Sequence, residues 1–279
     1  MRARGIGLAV AMTLCFLLFF CGCGSDDANG PEQNEPSPLP WQLTNLSDGK
    51  ILAVAVNNVG TVFASVDGDG VYRSADNGAV WTKLVNGPFL GNTAAGYAQC
   101  FLIDGGAVWA GTDGAGIHRS TDEGVMWTEV PADTTMGRIY ALCTVRGTVY
   151  CASDYGIFKL DGEDHWIQLD SRKAVAMCGQ YEIFAASQYQ ISGTAAILYN
   201  PGPASDDWFM TAVDGSRILA MANAADGTPL AGTLMAGVLK CREWWRWEPS
   251  NDGLDPFYTI WAIAAAPPNH VFISILSVF

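Results

Sequence analysis

A chain of 279 residues with 49% hydrophobic and only 15% charged side chains can bury a sizeable core, which excludes a disordered or coiled-coil protein. Its net charge of −13 excludes nucleic acid as a general partner, because the phosphates would be repelled. Thirty-one glycines fit an all-β protein full of tight turns.

The first residues do not belong to the fold. Arg2 and Arg4 precede an apolar run from Gly5 to Cys21, followed by Gly22-Cys23-Gly24-Ser25-Asp26-Asp27. A basic start, an apolar stretch and small residues before a cysteine read as a secretory signal. The run is also near the length of a membrane span, so an uncleaved anchor is the competing reading. The Gly22-Cys23 pair with polar residues after it resembles a bacterial lipoprotein signal. The resemblance implies that residues 1–22 are removed, that Cys23 is acylated, and that the protein is lipid-anchored in the cell envelope; secretion and N-terminal membrane anchoring are the alternatives. Residues 23–40, polar and Pro-rich after the cysteine, then form a flexible tether.

From residue 41 to 279 the chain repeats itself about every 40 residues, the signature of a repeat architecture. Trp41, Trp81, Trp127, Trp166, Trp208 and Trp247 each open a short segment, such as WTKL, WTEV or WIQL, with the alternation of an outer strand. Between them come runs of small apolar residues: 51–56, 97–102, 139–144, 174–179, 218–223 and 260–265. Strands crowded around an axis need small side chains, so these are expected to be innermost. A second strand (TVFASV, AVWAGT, TVYCAS, EIFAAS, TPLAGT, HVFISI) and a third (GVYRS, GIHRS, GIFKL, GVLK) follow. Four antiparallel strands per unit, repeated, predict an all-β β-propeller of about six blades, with a β-sandwich of the same strands as the alternative. The sixth blade is expected to be composite and incomplete, with the strand at Trp41 closing it.

Two third strands run into a motif written twice, Arg-Ser-x-Asp-x-Gly-x-x-Trp-Thr, at Arg73–Thr82 and Arg119–Thr128. Asp can accept turn N–H bonds, Gly can take φ > 0, and Trp can bury a large ring at the start of the next strand. The motif resembles the Asp-box, or BNR repeat, of sialidase-type β-propellers, found also in photosystem II assembly factors and xyloglucan-cleaving enzymes. The resemblance implies structural roles for Ser74, Asp76, Gly78 and Trp81 and for Ser120, Asp122, Gly124 and Trp127. A decayed copy runs from Leu160 to Trp166.

The chemistry-bearing residues are sparse. A sialidase needs an arginine triad, a Tyr nucleophile backed by Glu and an acid/base Asp. Arg73 and Arg119 are instead repeat positions beside the box, and no Tyr–Glu pair stands out. The repeat therefore reads as a non-catalytic binding or scaffold module for a protein or glycan. The alternative is an extracytoplasmic glycoside hydrolase, sialidase-like or other, with its site on the channel face. Gly68-Asp69-Gly70 and Gly114-Ala115-Gly116 read as hairpins between second and third strands, not phosphate loops. His118, His165 and His270 are scattered, and no Cys or His cluster points to a metal; no cofactor is expected. Cys15, Cys21 and Cys23 lie in the signal, and Cys100, Cys143, Cys151, Cys178 and Cys241 read as small core residues. Trp244-Trp245-Arg246-Trp247 is either a carbohydrate-stacking platform or alternating core and surface positions.

The residue before each inner strand reads Lys50, Gly96, Arg138, Lys173, Arg217 and Thr259. Four of these are basic in a chain with few bases. Lys50, Arg138, Lys173 and Arg217 are thus candidate ligands for an anionic partner at the mouth, with Asp67, Asp113 and Asp154 further out. The competing expectation is that each base pairs with one of those aspartates.

Overall fold

A computed structural model describes residues 46, 49–85, 97–132, 134–162, 164–191, 194–205, 207–213, 217–252, 254, 258–266 and 270–276. The signal, Cys23, the tether, the strand expected at Trp41, and Gly96 lie outside these residues. The described chain is all β, built from consecutive antiparallel sheets. The first contains β1 (Ile51–Val56), β2 (Val62–Val66), β3 (Gly70–Ser74) and β4 (Thr82–Lys83); the second β5 (Ala98–Asp104), β6 (Ala107–Thr112), β7 (Ile117–Ser120) and β8 (Thr128–Val130). The third contains β9 (Ile139–Val145), β10 (Thr148–Ser153), β11 (Gly156–Leu160) and β12 (Trp166–Asp170); the fourth β13 (Ala174–Gly179), β14 (Ile183–Ile191), β15 (Thr194–Asn200) and β16 (Phe209–Val213). The fifth contains β17 (Ile218–Asn223), β18 (Pro229–Thr233), β19 (Val238–Glu243) and β20 (Arg246–Pro249); the sixth pairs β21 (Thr259–Ala266) with β22 (His270–Leu276). Each sheet pairs its strands in chain order. The first strand of each packs against the first strand of the next, from β1 through β5, β9, β13 and β17 to β21. This is the blade plan of a β-propeller, with the small apolar runs innermost as the sequence requires.

The core fills the five seams between consecutive blades. Phe63 and Val71 of blade one meet Ala98, Val108 and Trp127 of blade two. Trp109 and Ile117 meet Ile139, Phe158 and Trp166 of the third. Blades three and four, four and five, and five and six repeat the arrangement. The recurrent tryptophan is the wedge in four of these seams, as Trp127, Trp166, Trp208 and Trp247. Trp109 meets Trp166 edge-on at 6.2 Å between ring centroids, and Phe184 meets Trp247 in the same way at 5.8 Å. Small residues are required where inner strands press on the preceding blade: a Cβ on Gly111 would lie 2.5 Å from Ile139 Cγ2, and one on Gly232 2.6 Å from Ile260 Cγ2. The five described cysteines are free; four are buried and Cys100 is half-buried among them. Burial pushes the thiols of Cys100 and Cys143 up to about 12, so they are inert core residues.

The two Arg-Ser-x-Asp turns are superimposable in their bonding. Ser74 and Ser120 each donate to the Asp two residues on, at 2.7 and 2.8 Å, and each accepts the N–H of Gly78 or Gly124 at 2.8 Å. Asp76 accepts the N–H of Val80 and Asp122 that of Met126. These bonds hold both carboxylates below the usual range. Asn77 and Gly78, like Glu123 and Gly124, are left-handed, which a glycine tolerates at the second position. In the decayed third copy Asp161 still accepts the N–H of His165 at 3.0 Å, so the turn survives the loss of its serine. Arg73 and Arg119 reach forward to the next blade's turn. Arg73 pairs with Glu123 at 2.7 Å, and Arg119 grips Asp164 with both nitrogens at 2.6 and 2.7 Å. Glu123 and Asp164 are both left-handed turn residues, one and three places after the turn aspartate, so the two arginines staple successive blades through different positions of the turn.

Candidate functional site

At the end of the sheets where second and third strands turn, the four basic positions share one register. The carbonyls of Lys50, Arg138, Lys173 and Arg217 each accept an N–H from their own blade's second strand or the residue just after it: Asp67, Asp154 and Leu234 directly follow their strands, and Gln188 lies within β14. The side chains divide into two groups. Arg138 forms an ion pair with Asp113 of the preceding blade, and Lys173 forms one with Asp154 of the preceding blade at 2.6 Å. Asp154 also accepts the backbone N–H of Arg138 at 3.0 Å and the hydroxyl of Tyr140 at 3.0 Å. Both cations lie over the Tyr140 ring, Lys173 at 5.0 Å and Arg138 at 6.0 Å from its centroid. Asp113, Arg138, Asp154 and Lys173 therefore form an alternating arc across blades two to four, not a ring of one sign inside a separate acidic rim.

The electrostatics follow from this pairing. The Asp113 carboxylate raises the Arg138 guanidinium further above its ordinary value. Burial works against the charged form of Lys173, yet its bonds to Asp154 and Tyr140 prevail and its pKa rises. For Asp154, burial pushes upward and the Lys173 bond pulls downward, with a net depression. Lys50 and Arg217 stand outside the arc. Both are exposed, and among the described residues neither has an ion-pair partner. The step that would give Arg217 its acid is taken by Gln188, whose N–H occupies the place that Asp154 holds one blade earlier.

A second set of residues completes this face, and the sequence reading missed it. Every inner strand carries a β-bulge against its second strand at the same place: Ile51/Ala53, Ala98/Cys100, the step opposite Ala152/Ser153, Ala174/Ala176, Ile218/Ala220 and Ile260/Ala262. The residues skipped are Leu52, Gln99, Tyr140, Val175, Leu219 and Trp261. The residues before them are mostly buried, whereas none of the six is, and Trp261 is 54% exposed. A bulge re-aims one side chain and commonly does so at barrel rims and sites. Six of them at one register make a collar of three aliphatic, two aromatic and one amide side chain, beside the charged arc. The sequence carries only a partial signal: the bulged residue is the second of five of the runs but the third, Gln99, of the run 97–102. Only strand pairing reveals that this residue leaves the ladder.

Beside Asp113 and Arg138 a cleft of about 470 Å³ opens between blades two and three, lined by His118, Glu129, Thr134, Thr135 and Met136. His118 is nearly buried on β7, and its Nε2 lies 2.8 Å from the Ala115 carbonyl. Burial lowers its pKa, which keeps the imidazole neutral near pH 7. Gly114-Ala115-Gly116 is the expected second-to-third-strand hairpin, tied by Thr112 Oγ1 to the Gly116 carbonyl at 2.8 Å. Among the described residues no three of His, Cys, Asp or Glu gather as metal ligands.

No family profile matches the chain, and no curated protein matches it in sequence. The fold itself is found among solved structures. Virginiamycin B lyase from Staphylococcus aureus superposes with a TM-score of 0.66 at 14% identity, over 83% of this chain and 79% of that one. YCF48 from Cyanidioschyzon merolae gives 0.61 at 14% identity, over 82% and 80%. The xyloglucanase of Xanthomonas campestris gives 0.57 at 15% identity, over 80% of this chain but 43% of that one. At these identities the likeness defines the fold, a β-propeller that hosts both enzymes and other proteins, and leaves the role to the site.

Proposed function

We propose that this chain is a non-catalytic binding propeller of the Asp-box type, held outside the cytoplasm by an acylated Cys23 and the 23–40 tether. Its ligand face is the bulge collar with the adjoining charged arc. The observation that carries this reading is the sixfold bulge, which takes one incompletely buried side chain per blade out of the ladder near the start of the inner strand. An apolar and aromatic centre flanked by paired charges of both signs suits a segment of a protein partner: one apolar side chain enters the collar, and its backbone and charged neighbours exchange bonds with the arc. YCF48 has been solved bound to D1 peptide, which supports a peptide-binding use of this fold. In this reading Lys50 and Arg217 are the cations left for a partner's carboxylates, while Arg138 and Lys173 serve chiefly to hold the arc.

The test is to display the purified full chain against a peptide library and a panel of chromogenic glycosides. Selection of peptides by the wild type, and their loss in Tyr140→Ala/Trp261→Ala at unchanged melting temperature, is the expected result. Turnover of a glycoside, or selection that survives this variant, would transfer the protein to the hydrolase reading or to another surface.

A further inference from the structure

On the opposite end of the sheets, where third and fourth strands turn, blades four and five expose a cluster of aromatic rings. Trp244 and Trp245 form the two-residue turn between β19 and β20, and they are 37% and 53% exposed. Trp244 stacks on Tyr199 with ring centroids 5.2 Å apart and planes 15° from parallel, and Phe209 leans on both rings at 5.6 and 6.2 Å. Two hydrogen bonds anchor the base of the group. The Tyr199 hydroxyl donates to Glu182 at 2.9 Å, and the Thr211 hydroxyl donates to the Trp245 carbonyl at 3.3 Å. Hairpin tips are ordinarily polar or glycine-rich, so two adjacent indoles at one are not explained by folding. Trp247, two residues on, does the structural work in the seam against Phe184.

We infer that the Tyr199–Phe209–Trp244–Trp245 cluster is a stacking platform for an uncharged oligosaccharide. Two observations select that occupant. The first is charge. Arg242 and Arg246 both bind Glu248, and Glu243 stands opposite Arg246 in the ladder. Two cations and two anions cancel at the turn itself, and the third nearby anion, Glu182, is taken up by the Tyr199 hydroxyl, in a chain whose net charge is −13. The platform thus favours neither an anion nor a cation, yet it surrounds the rings with fixed donors and acceptors for hydroxyl groups. The second is area. With Tyr199 buried beneath Trp244, the exposed parts of Phe209, Trp244 and Trp245 (44%, 37% and 53%), at about 150–250 Å² per side chain in full, come to about 200–350 Å², well under half of the ~800 Å² that one partner contributes to a standard protein interface. A sugar ring needs far less, because its C–H face covers a single indole while its edge hydroxyls reach the rim. This surface lies at the other end of the blades from the collar and does not depend on it.

The experiment is titration of the full chain with a panel of neutral hexasaccharides (β-1,4-glucan, xylan, mannan and chitin types), together with polygalacturonate and chitosan, followed by tryptophan fluorescence and calorimetry. The expected result is binding of at least one neutral oligosaccharide that is insensitive to salt, with affinity reduced at least about tenfold in Trp245→Ala at unchanged melting temperature. Trp244→Ala should show the same loss, and Tyr140→Ala none. No binding across the neutral panel, binding of the charged polymers alone, or equal affinity in Trp245→Ala would each overturn the inference. So would a protein partner retained through Trp245 in place of sugar.

Discussion

The seam between blades two and three and the seam between blades four and five solve the same problem with different chemistry. In the first, the Trp166 wedge meets Trp109, and polar fastenings bracket it: Arg119 on Asp164 at one end and Arg138 on Asp113 at the other. In the second, the Trp247 wedge meets Phe184 in the same edge-on geometry, but rings take the place of ion pairs, with Trp244 stacked on Tyr199. The wedge is common to both, while the fastenings are interchangeable. A buried indole removes a large apolar area from water wherever it stands, whereas an exposed ion pair returns little after desolvation and side-chain entropy. Drift in the fastenings is therefore cheap, and at the later seam it leaves aromatic surface free for another use.

The largest effect should come from the wedge itself. Trp166→Ala, at a fully buried site, is expected to cost about 3–5 kcal/mol in urea unfolding, and Trp247→Ala, half-buried, somewhat less. If Trp247→Ala costs nothing, the common wedge is not the principle of both seams. Next is the closeness of the blades. Gly111→Ala places a methyl against Ile139 in a buried seam and is expected to cost about 1–3 kcal/mol, measured in the same way. A comparable loss is expected in Ser120→Ala, about 1–3 kcal/mol, because the buried Gly124 N–H loses its acceptor.

The smallest effect should be the fastening. A double-mutant cycle on Arg119 and Asp164 is expected to give about 0.2–1 kcal/mol at low salt, fading as salt is added. Arg119 holds the Asp164 carboxyl below its ordinary value, so the folded pKa lies below the unfolded one. The coupling is therefore fully present above the unfolded pKa of about 4 and is lost as pH falls through the folded one. A cycle repeated at falling pH checks this, and a coupling that grows on acidification would reverse the assignment.

The sequence by itself determined the blades. The tryptophan period, the small-residue runs and the Ser-x-Asp-x-Gly turns placed every inner and second strand and both boxed turns, because strand alternation and turn chemistry are local and survive without knowledge of neighbours. The register of Lys50, Arg138, Lys173 and Arg217 was legible for the same reason. What lies alongside that register was decided by tertiary structure. Asp113 and Asp154 each reach the base of the following blade, while the step toward Arg217 carries Gln188; the acid-to-amide change is written in the sequence, but which base each acid reaches is a contact between blades that no single strand contains. The bulges at Tyr140 and Trp261 were equally hidden, since a bulge is a mismatch between two strands and neither strand alone contains it. Trp244 and Trp247 sit three residues apart on one hairpin. Only the packing of blade four against blade five makes one of them a wedge and the other a surface.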